Sequence, residues 1–211
     1  MTDRDTRRTL LLLSGGVDSS ALAFKLRPTN TLFIDYGQRS AEAEGRAAQA
    51  VARGLLIDHA AIRIDHSATA GGLLSGQDIP QHWPSPEWWP FRNQMLVTSA
   101  AAWAVVHANS ESRDANVDIL TGSVLGDGDR HKDGGAPFYQ ALNILLHAQE
   151  GNLSVAAPAI NMSTVDLVKW SGIPDSLLAW THSCHTSNLP CGECPGCYKR
   201  DQVLSELSRL R

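Results

Sequence analysis

Seven residues, Ser14-Gly15-Gly16-Val17-Asp18-Ser19-Ser20, join a short apolar run, Thr9 to Leu13, to a helix-period segment, Ser19 to Leu26. A second apolar run follows at Thr31 to Ile34. Strand, helix and strand at this spacing form a βαβ unit, which implies a parallel sheet with crossover helices. Two glycines let the connecting backbone turn tightly with its N–H groups facing inward. The helix after them presents its positive end, and Ser14, Ser19 and Ser20 add hydroxyl donors, so a phosphate or pyrophosphate fits the turn. It is not a Walker A loop, because no Gly-Lys-Ser/Thr follows. Glycines alone would read as a plain strand-to-helix turn; the full Ser-Gly-Gly-x-Asp-Ser string favours anion binding.

The alternation continues. Ser40 to Arg53 reads as an Ala-rich helix that Gly54 can end, before a strand around Ala60 to Ile64. Gly71 to Pro90 is rich in Gly, Pro and Trp and lacks periodicity, so a long irregular excursion is expected, a feature that is usually functional. Asn93 to His107 reads as a helix and Val117 to Leu120 as a strand, followed by a Gly- and Asp-rich loop from Gly122 to Gly135. A helix from Phe138 to Gln149, a strand at Leu153 to Ala156 and a capping box at Ser163-Thr164-Val165-Asp166 come next. A last helix is expected from Tyr198 to Leu210.

At 211 residues one core can hold the chain, so one domain spanning 1–211 is the expectation. The 18 basic and 22 acidic side chains leave a charge of -4, which argues against broad electrostatic binding to nucleic acid. No apolar run approaches the roughly 20 residues that cross a bilayer. The N-terminus lacks a cleavable signal, so a cytoplasmic location with reduced thiols is expected.

All four cysteines, Cys184, Cys191, Cys194 and Cys197, lie in one stretch, with Gly192, Pro195 and Gly196 between them. Four thiolates at this spacing can close a tetrahedral Zn²⁺ shell, and neither a lone redox pair nor a ferredoxin spacing matches. A closed shell is structural, so residues 181–200 form a zinc-binding segment. Of the eight histidines, His182 and His185 neighbour the cysteines, yet four thiolates already suffice.

The Ser14 to Ser20 string resembles the pyrophosphate loop of the ATP pyrophosphatase (PP-loop) superfamily. Together with the cysteine block, the chain resembles the 7-cyano-7-deazaguanine synthase family. The resemblance is carried by Tyr36-Gly37-Gln38-Arg39 with Glu42 and Glu44, by Pro90-Phe91-Arg92-Asn93, by Thr121-Gly122 with Asp127 and Asp133, and by Cys184 to Arg200. It implies an α/β, adenine-nucleotide alpha-hydrolase-like (Rossmann-like) parallel sheet with flanking helices, and a homodimer. It implies ATP and Mg²⁺ as well as structural Zn²⁺, and the conversion of 7-carboxy-7-deazaguanine and ammonia to the nitrile through an acyl adenylate and an amide. ATP would then sit on residues 14–20 with Tyr36, Gln38 and Arg39. Asp18 would both cap the helix and organise the metal. Arg92, Asn93, Asp127 and Asp133 would contact the base, with Asp18, Arg92 and Asp127 catalytic.

The sequence departs from the family pattern in three places. Phe91 stands where the family has glycine, Asp129-Arg130-His131-Lys132 replaces Ser-Gly-Tyr-Pro, and Thr164 replaces a lysine near the start of a late helix. The lost lysine removes a mobile phosphate-binding charge, a role left to Lys132 or another cation. A branch that passes an activated deazaguanine to an amine on a protein fits these departures, since relatives occur in antiviral defence gene clusters. An RNA-modifying PP-loop enzyme is a further reading. Trp83, Trp88 and Trp89 read as packing of the excursion before a partner surface.

Overall fold

The computed structural model describes residues 7–107 and 114–209. In it the apolar runs become β1 (Arg8–Leu12), β2 (Asn30–Asp35), β3 (Asp58–Arg63), β4 (Val117–Leu120) and β5 (Leu153–Ala156). They pair in the order β3-β2-β1-β4-β5, parallel throughout, with Leu10 opposite Asn30 and Ile119. Side chains alternate across the sheet, and both faces are covered, which is why the central strands read as continuous apolar runs. Leu11, Leu13, Phe33 and Leu120 point to one core; Leu10, Leu32, Ile34 and Ile119 point to the other.

The first face carries α1 (Val17–Leu26), α2 (Ala41–Leu55), α7 (Thr164–Ser171), α8 (Asp175–Leu178) and α9 (Pro195–Glu206). The second carries α4 (Arg92–Val106) and α6 (Ala136–His147). Two short helices lie in the irregular segments, α3 (Gly72–Ser75) in the excursion and α5 (Asp127–Arg130) in the loop after β4. Three boundaries differ from expectation. Helix α2 runs through Gly54 and closes at Leu56, which takes the left-handed conformation at φ 56°. Gly54 instead makes room, because a Cβ there would lie 2.7 Å from Leu177. Helix α9 starts three residues early, since Cys194 caps it through sulfur and Pro195 suits the first turn. It also ends early, at Glu206 with Leu207 as its C-cap, short of the expected Leu210, which like Arg211 and the extreme N-terminus lies outside the described residues. Ser163 caps α7 as its capping box requires, accepting the Asp166 N–H at 3.1 Å.

The excursion is packed against the second face. Leu73 and Arg39 join it to Pro86 and Leu74 through backbone hydrogen bonds, and Trp89 is fully buried, edge-on to Tyr36 at 5.1 Å. Trp83 and Trp88 pack on each other at 4.9 Å, so the tryptophans serve packing. Among the described residues no helix is long and apolar enough to cross a membrane.

The chain leaves β1 toward one side of the sheet and returns at β4 on the other. Such a reversal opens a crevice at the carboxyl ends of the two strands, where open α/β sheets bind their ligands. The glycine loop follows β1 and Thr121-Gly122 follows β4, so both meet at that crevice.

Candidate functional site

The loop after β1 is held from two sides. Gly15 has φ +76°, and a Cβ on it would lie 2.6 Å from the Glu44 carbonyl oxygen, 2.7 Å from Ala47 Cβ and 2.8 Å from the Ala48 nitrogen. Its carbonyl accepts the His182 N–H at 2.9 Å, tying the loop to the cysteine segment. Gly16 occupies the N-cap position of α1, extended and without any side-chain cap. Ser14 Oγ accepts the Gly16 N–H at 3.3 Å and lies 3.1 Å from Ser19 Oγ. The first turn of α1 is therefore uncapped by side chains and faces the crevice, as an anion site requires. Asp18 does not cap the helix. One of its oxygens accepts Lys199 Nζ at 3.1 Å, and the other, Oδ1, is buried with no hydrogen-bond partner.

The crevice is a cavity of ≈ 380 Å³. Ser14, Gly16, Val17, Asp18 and Ser19 line it, together with Tyr36, Gln38, Arg92, Asn93 and Asp127. Four residues expected there sit elsewhere. Gly15 is wedged on α2, and Ser20 is buried within α1. Arg39 is exposed with its side chain over Gly76, because the turn after β2 aims it away from the sheet. Asp133 lies outside the cavity lining, bound to the start of α4. Its carboxylate accepts the Asn93 N–H at 3.3 Å and its carbonyl accepts Asn93 Nδ2 at 2.8 Å. Helix α4 lacks a cap of its own, being entered through Phe91 at φ 58°, so a carboxylate from a distant loop fills that role.

A buried polar chain supports the wall after β2. Gln38 accepts the Tyr36 N–H at 2.9 Å and donates to Glu44 at 2.8 Å; Ser40 donates to the other Glu44 oxygen at 2.7 Å. Burial raises the Glu44 carboxyl above the ordinary range, although these two hydrogen bonds and the positive charge of Arg92 pull it down. Burial also pushes Tyr36 up to about 12 despite its hydrogen bond with Arg92, so it remains a neutral phenol. Burial works against the Arg92 charge, but Tyr36, Asp133 and Glu44 together hold its pKa above the ordinary value. Arg92 is thus a fixed cation in the cavity wall. Burial, opposed by the Val124 N–H, raises Asp127, with a further push from the nearby charge of Asp18.

The altered positions fall unevenly. Arg130 and His131 line the cavity, where Arg130 forms an ion pair with Glu87; Lys132 is exposed and does not. Thr164 lines the cavity with its hydroxyl buried and unpartnered. The cations that reach the loop side are Lys199 and Arg200, from α9. Sequence reasoning left Glu44, Glu87, Lys199 and His185 out of the site. Glu44 and Lys199 lie in blocks that carry the resemblance, so their signal was present; Glu87 stands alone among prolines and tryptophans. Burial lowers His185 to about 4, keeping its ring neutral at pH 7.

The four cysteine sulfurs lie within 4.8 Å of one another, with Cys184 to Cys194 at 3.9 Å and Cys191 to Cys197 at 4.0 Å. A tetrahedron with metal–sulfur bonds of about 2.3 Å has edges of about 3.8 Å, so the cluster is able to coordinate a metal ion. Backbone N–H groups of His185, Cys194 and Cys197 point at the sulfurs, as thiolates require. No imidazole belongs to the cluster. Gly196 admits no side chain, because a Cβ would lie 1.9 Å from the Ser183 carbonyl oxygen.

A family model described as queuosine biosynthesis protein QueC matches residues 8–208. The chain belongs to the QueC family. Its curated relatives include the 7-cyano-7-deazaguanine synthase of Methanoculleus marisnigri, 30% identical with 95% of each chain covered. That of Methanothermobacter thermautotrophicus is 29% identical, with 92% of each chain covered. Among solved structures, a predicted subunit of tRNA methyltransferase from Methanocaldococcus jannaschii aligns with a TM-score of 0.50 and 16% identity, covering 96% of this chain and 89% of that one. That likeness concerns the fold. The QueC-family loop, Arg92-Asn93 and the cysteine cluster thus converge on one crevice of a shared architecture.

Proposed function

We propose that the protein is an ATP-dependent adenylating ligase that converts 7-carboxy-7-deazaguanine and ammonia to 7-cyano-7-deazaguanine, in one domain with a structural zinc segment. The observation that carries this reading is the meeting of an uncapped anion loop and a fixed Arg92 cation across one cavity. The relatives' names supply the product, 7-cyano-7-deazaguanine.

The substrate carboxylate attacks the α-phosphorus of ATP, forming the acyl adenylate and expelling pyrophosphate. Ammonia adds to the activated carbon and displaces AMP, giving the amide and a proton. A second ATP is attacked by the amide oxygen, again releasing pyrophosphate, and loss of AMP and a proton leaves the nitrile. In each activation the leaving pyrophosphate rests on the Gly16 region, Ser14, Ser19 and the α1 N-terminus, which place donors where charge develops. Arg92 holds the attacking carboxylate. Asp18, with its unpartnered Oδ1, and Asp127 are the groups that would hold Mg²⁺, which supplies charge neutralisation at the phosphates. Lys199 stands beside Asp18 and takes the place of the lysine absent at Thr164. The zinc segment fixes the start of α9, and with it Lys199 and Arg200.

Mass spectrometry of the zinc-loaded protein with MgATP, 7-carboxy-7-deazaguanine and ammonium tests the proposal. Nitrile with AMP and pyrophosphate is expected, abolished in Asp18→Ala. ADP as the nucleotide product refutes it. AMP without nitrile would direct the search to another amine acceptor, such as a protein.

A further inference from the structure

Four carboxylates line the cavity: Asp18, Glu44, Glu87 and Asp127. Three are committed. Glu44 uses one oxygen for Gln38 and the other for Ser40. Asp18 sits on the loop after β1, paired with Lys199 through one oxygen, and its Oδ1, also without a partner, is the atom assigned to Mg²⁺ above. Asp127 accepts the Val124 N–H at 3.0 Å and feels the charge of Asp18, which places it on the same side. Glu87 differs. It comes from the excursion, is 7% exposed, and its Oε1 takes Arg130 while its Oε2 is buried with no hydrogen-bond partner. His131 does not satisfy it, because the ring nitrogen nearest Glu87 lies 4.0 Å away and is 3.0 Å from Ser85 Oγ. A buried carboxylate oxygen without a donor is costly, and a ligand that brings donors relieves the cost.

Resting on the proposed function, we infer that Glu87 selects the base: its carboxylate accepts the ring N–H and the exocyclic amino N–H of a 2-amino-6-oxo purine-like edge. A carboxylate offers two oxygens with about four acceptor sites, so Oε1 can keep Arg130 while the pair receives two parallel N–H donors. Arg130 holds the carboxylate through Oε1 and leaves Oε2 as the free acceptor. A site built this way rejects a base lacking the amino group, because the carboxylate is then left unpaired. Arg130 and His131 are two of the altered positions: Arg130 positions Glu87, while His131 stays bound to Ser85. The altered residues thus shape the base side of the cavity.

The test separates binding from turnover. Calorimetry of the zinc-loaded protein with 7-deazaguanine and with its 2-desamino counterpart reads base preference alone. Parallel kinetics with the two 7-carboxy bases read KM and kcat. The wild type is expected to prefer the amino base by about a hundredfold or more. Glu87→Gln is expected to weaken the amino base about 10- to 100-fold, with ATP affinity unchanged and the preference largely gone. Glu87→Asp keeps the charge while withdrawing it by one methylene, and weakens the preference in the same direction if the fold is intact. A preference that survives in Glu87→Gln overturns the inference, even where nitrile synthesis stands. Equal weakening of both bases and of ATP marks a structural role and also overturns it. Loss of preference in a protein that binds bases but makes no nitrile upholds Glu87 and refutes the ligase reading. A wild type that binds neither base sinks both.

Discussion

Gly15→Ala should be far more damaging than its neighbour Gly16→Ala. A side chain at φ +76° costs about 1–2 kcal/mol from the left-handed backbone alone. The new methyl would also overlap the Glu44 carbonyl oxygen, Ala47 Cβ and the Ala48 nitrogen at 2.6 to 2.8 Å. Two of these are backbone atoms of α2, which cannot rotate aside, so helix and loop must separate at about 1–3 kcal/mol. The sum is about 2–5 kcal/mol, a large share of the roughly 5–15 kcal/mol that holds a typical protein together. Gly37→Ala isolates the backbone part, because φ is +99° and nothing lies within 4 Å, so it should cost about 1–2 kcal/mol. Gly16→Ala has ordinary φ and its nearest atom at 3.4 Å, so it should stay within about 0.5 kcal/mol. Urea unfolding with a shared slope measures all three. Gly16→Ala should instead raise KM for ATP, since Gly16 lines the cavity. Equal losses for Gly15→Ala and Gly37→Ala would refute the wedge against α2.

Asp18→Asn should lower pyrophosphate release by about 10²- to 10³-fold at saturating base, and Lys199→Met should weaken ATP about tenfold while Lys132→Met does not. The reverse order of the two lysine variants would remove Lys199 from the phosphates. Chelation of the metal, or Cys197→Ser, should loosen α9 and raise KM for ATP; hydrogen exchange across residues 195–206 reads the first effect, and unchanged exchange would uncouple the cluster from the cavity. Because burial raises Glu44 in the folded state, the unfolded carboxyl ionises first as pH climbs past its ordinary value. The wild type should therefore lose melting temperature relative to Glu44→Gln as pH rises above the ordinary carboxylate range. A flat difference would mean that burial does not set this carboxyl's pKa.

The parallel sheet was legible because its strands are buried on both faces, so Leu10 to Leu13 and Thr31 to Ile34 read as unbroken apolar runs. The anion loop and the cysteine cluster were legible because their residues are contiguous. What stayed hidden depends on direction. Arg39 follows β2 in the same turn as Tyr36 and Gln38, yet only those two face the cavity; which side a turn residue takes is set by Leu74 and Gly76 from the excursion. Asp133 carries a base-binding expectation, but Phe91 enters α4 from the left-handed region and leaves the helix without a cap, so the carboxylate is drawn there. Gly54 marks a close approach to Leu177, a long-range fact that local propensity does not encode.

The departures from the family pattern sort by the side of the cavity they touch, and the sorting bears on what has been kept. Ser14, Gly16 to Ser19 and Asp127 line the cavity, and Lys199, from a helix that starts at the cysteine cluster, reaches it beside Asp18. The cluster also grips the loop indirectly, through the His182 N–H on Gly15, and grips α2 through Asn188, which accepts the Ala43 N–H and donates to Glu42. One short segment therefore holds the loop after β1, the helix beneath it and Lys199, so a metal ion held by the cysteines would act on that loop without touching it. Arg130 and His131 line the cavity beside Glu87, whereas Phe91 is exposed and stands outside it. On the proposed function, the departures at Arg130 and His131 fall beside the carboxylate assigned to the base, while the loop after β1 keeps the Ser-Gly-Gly-x-Asp-Ser string that carries the resemblance.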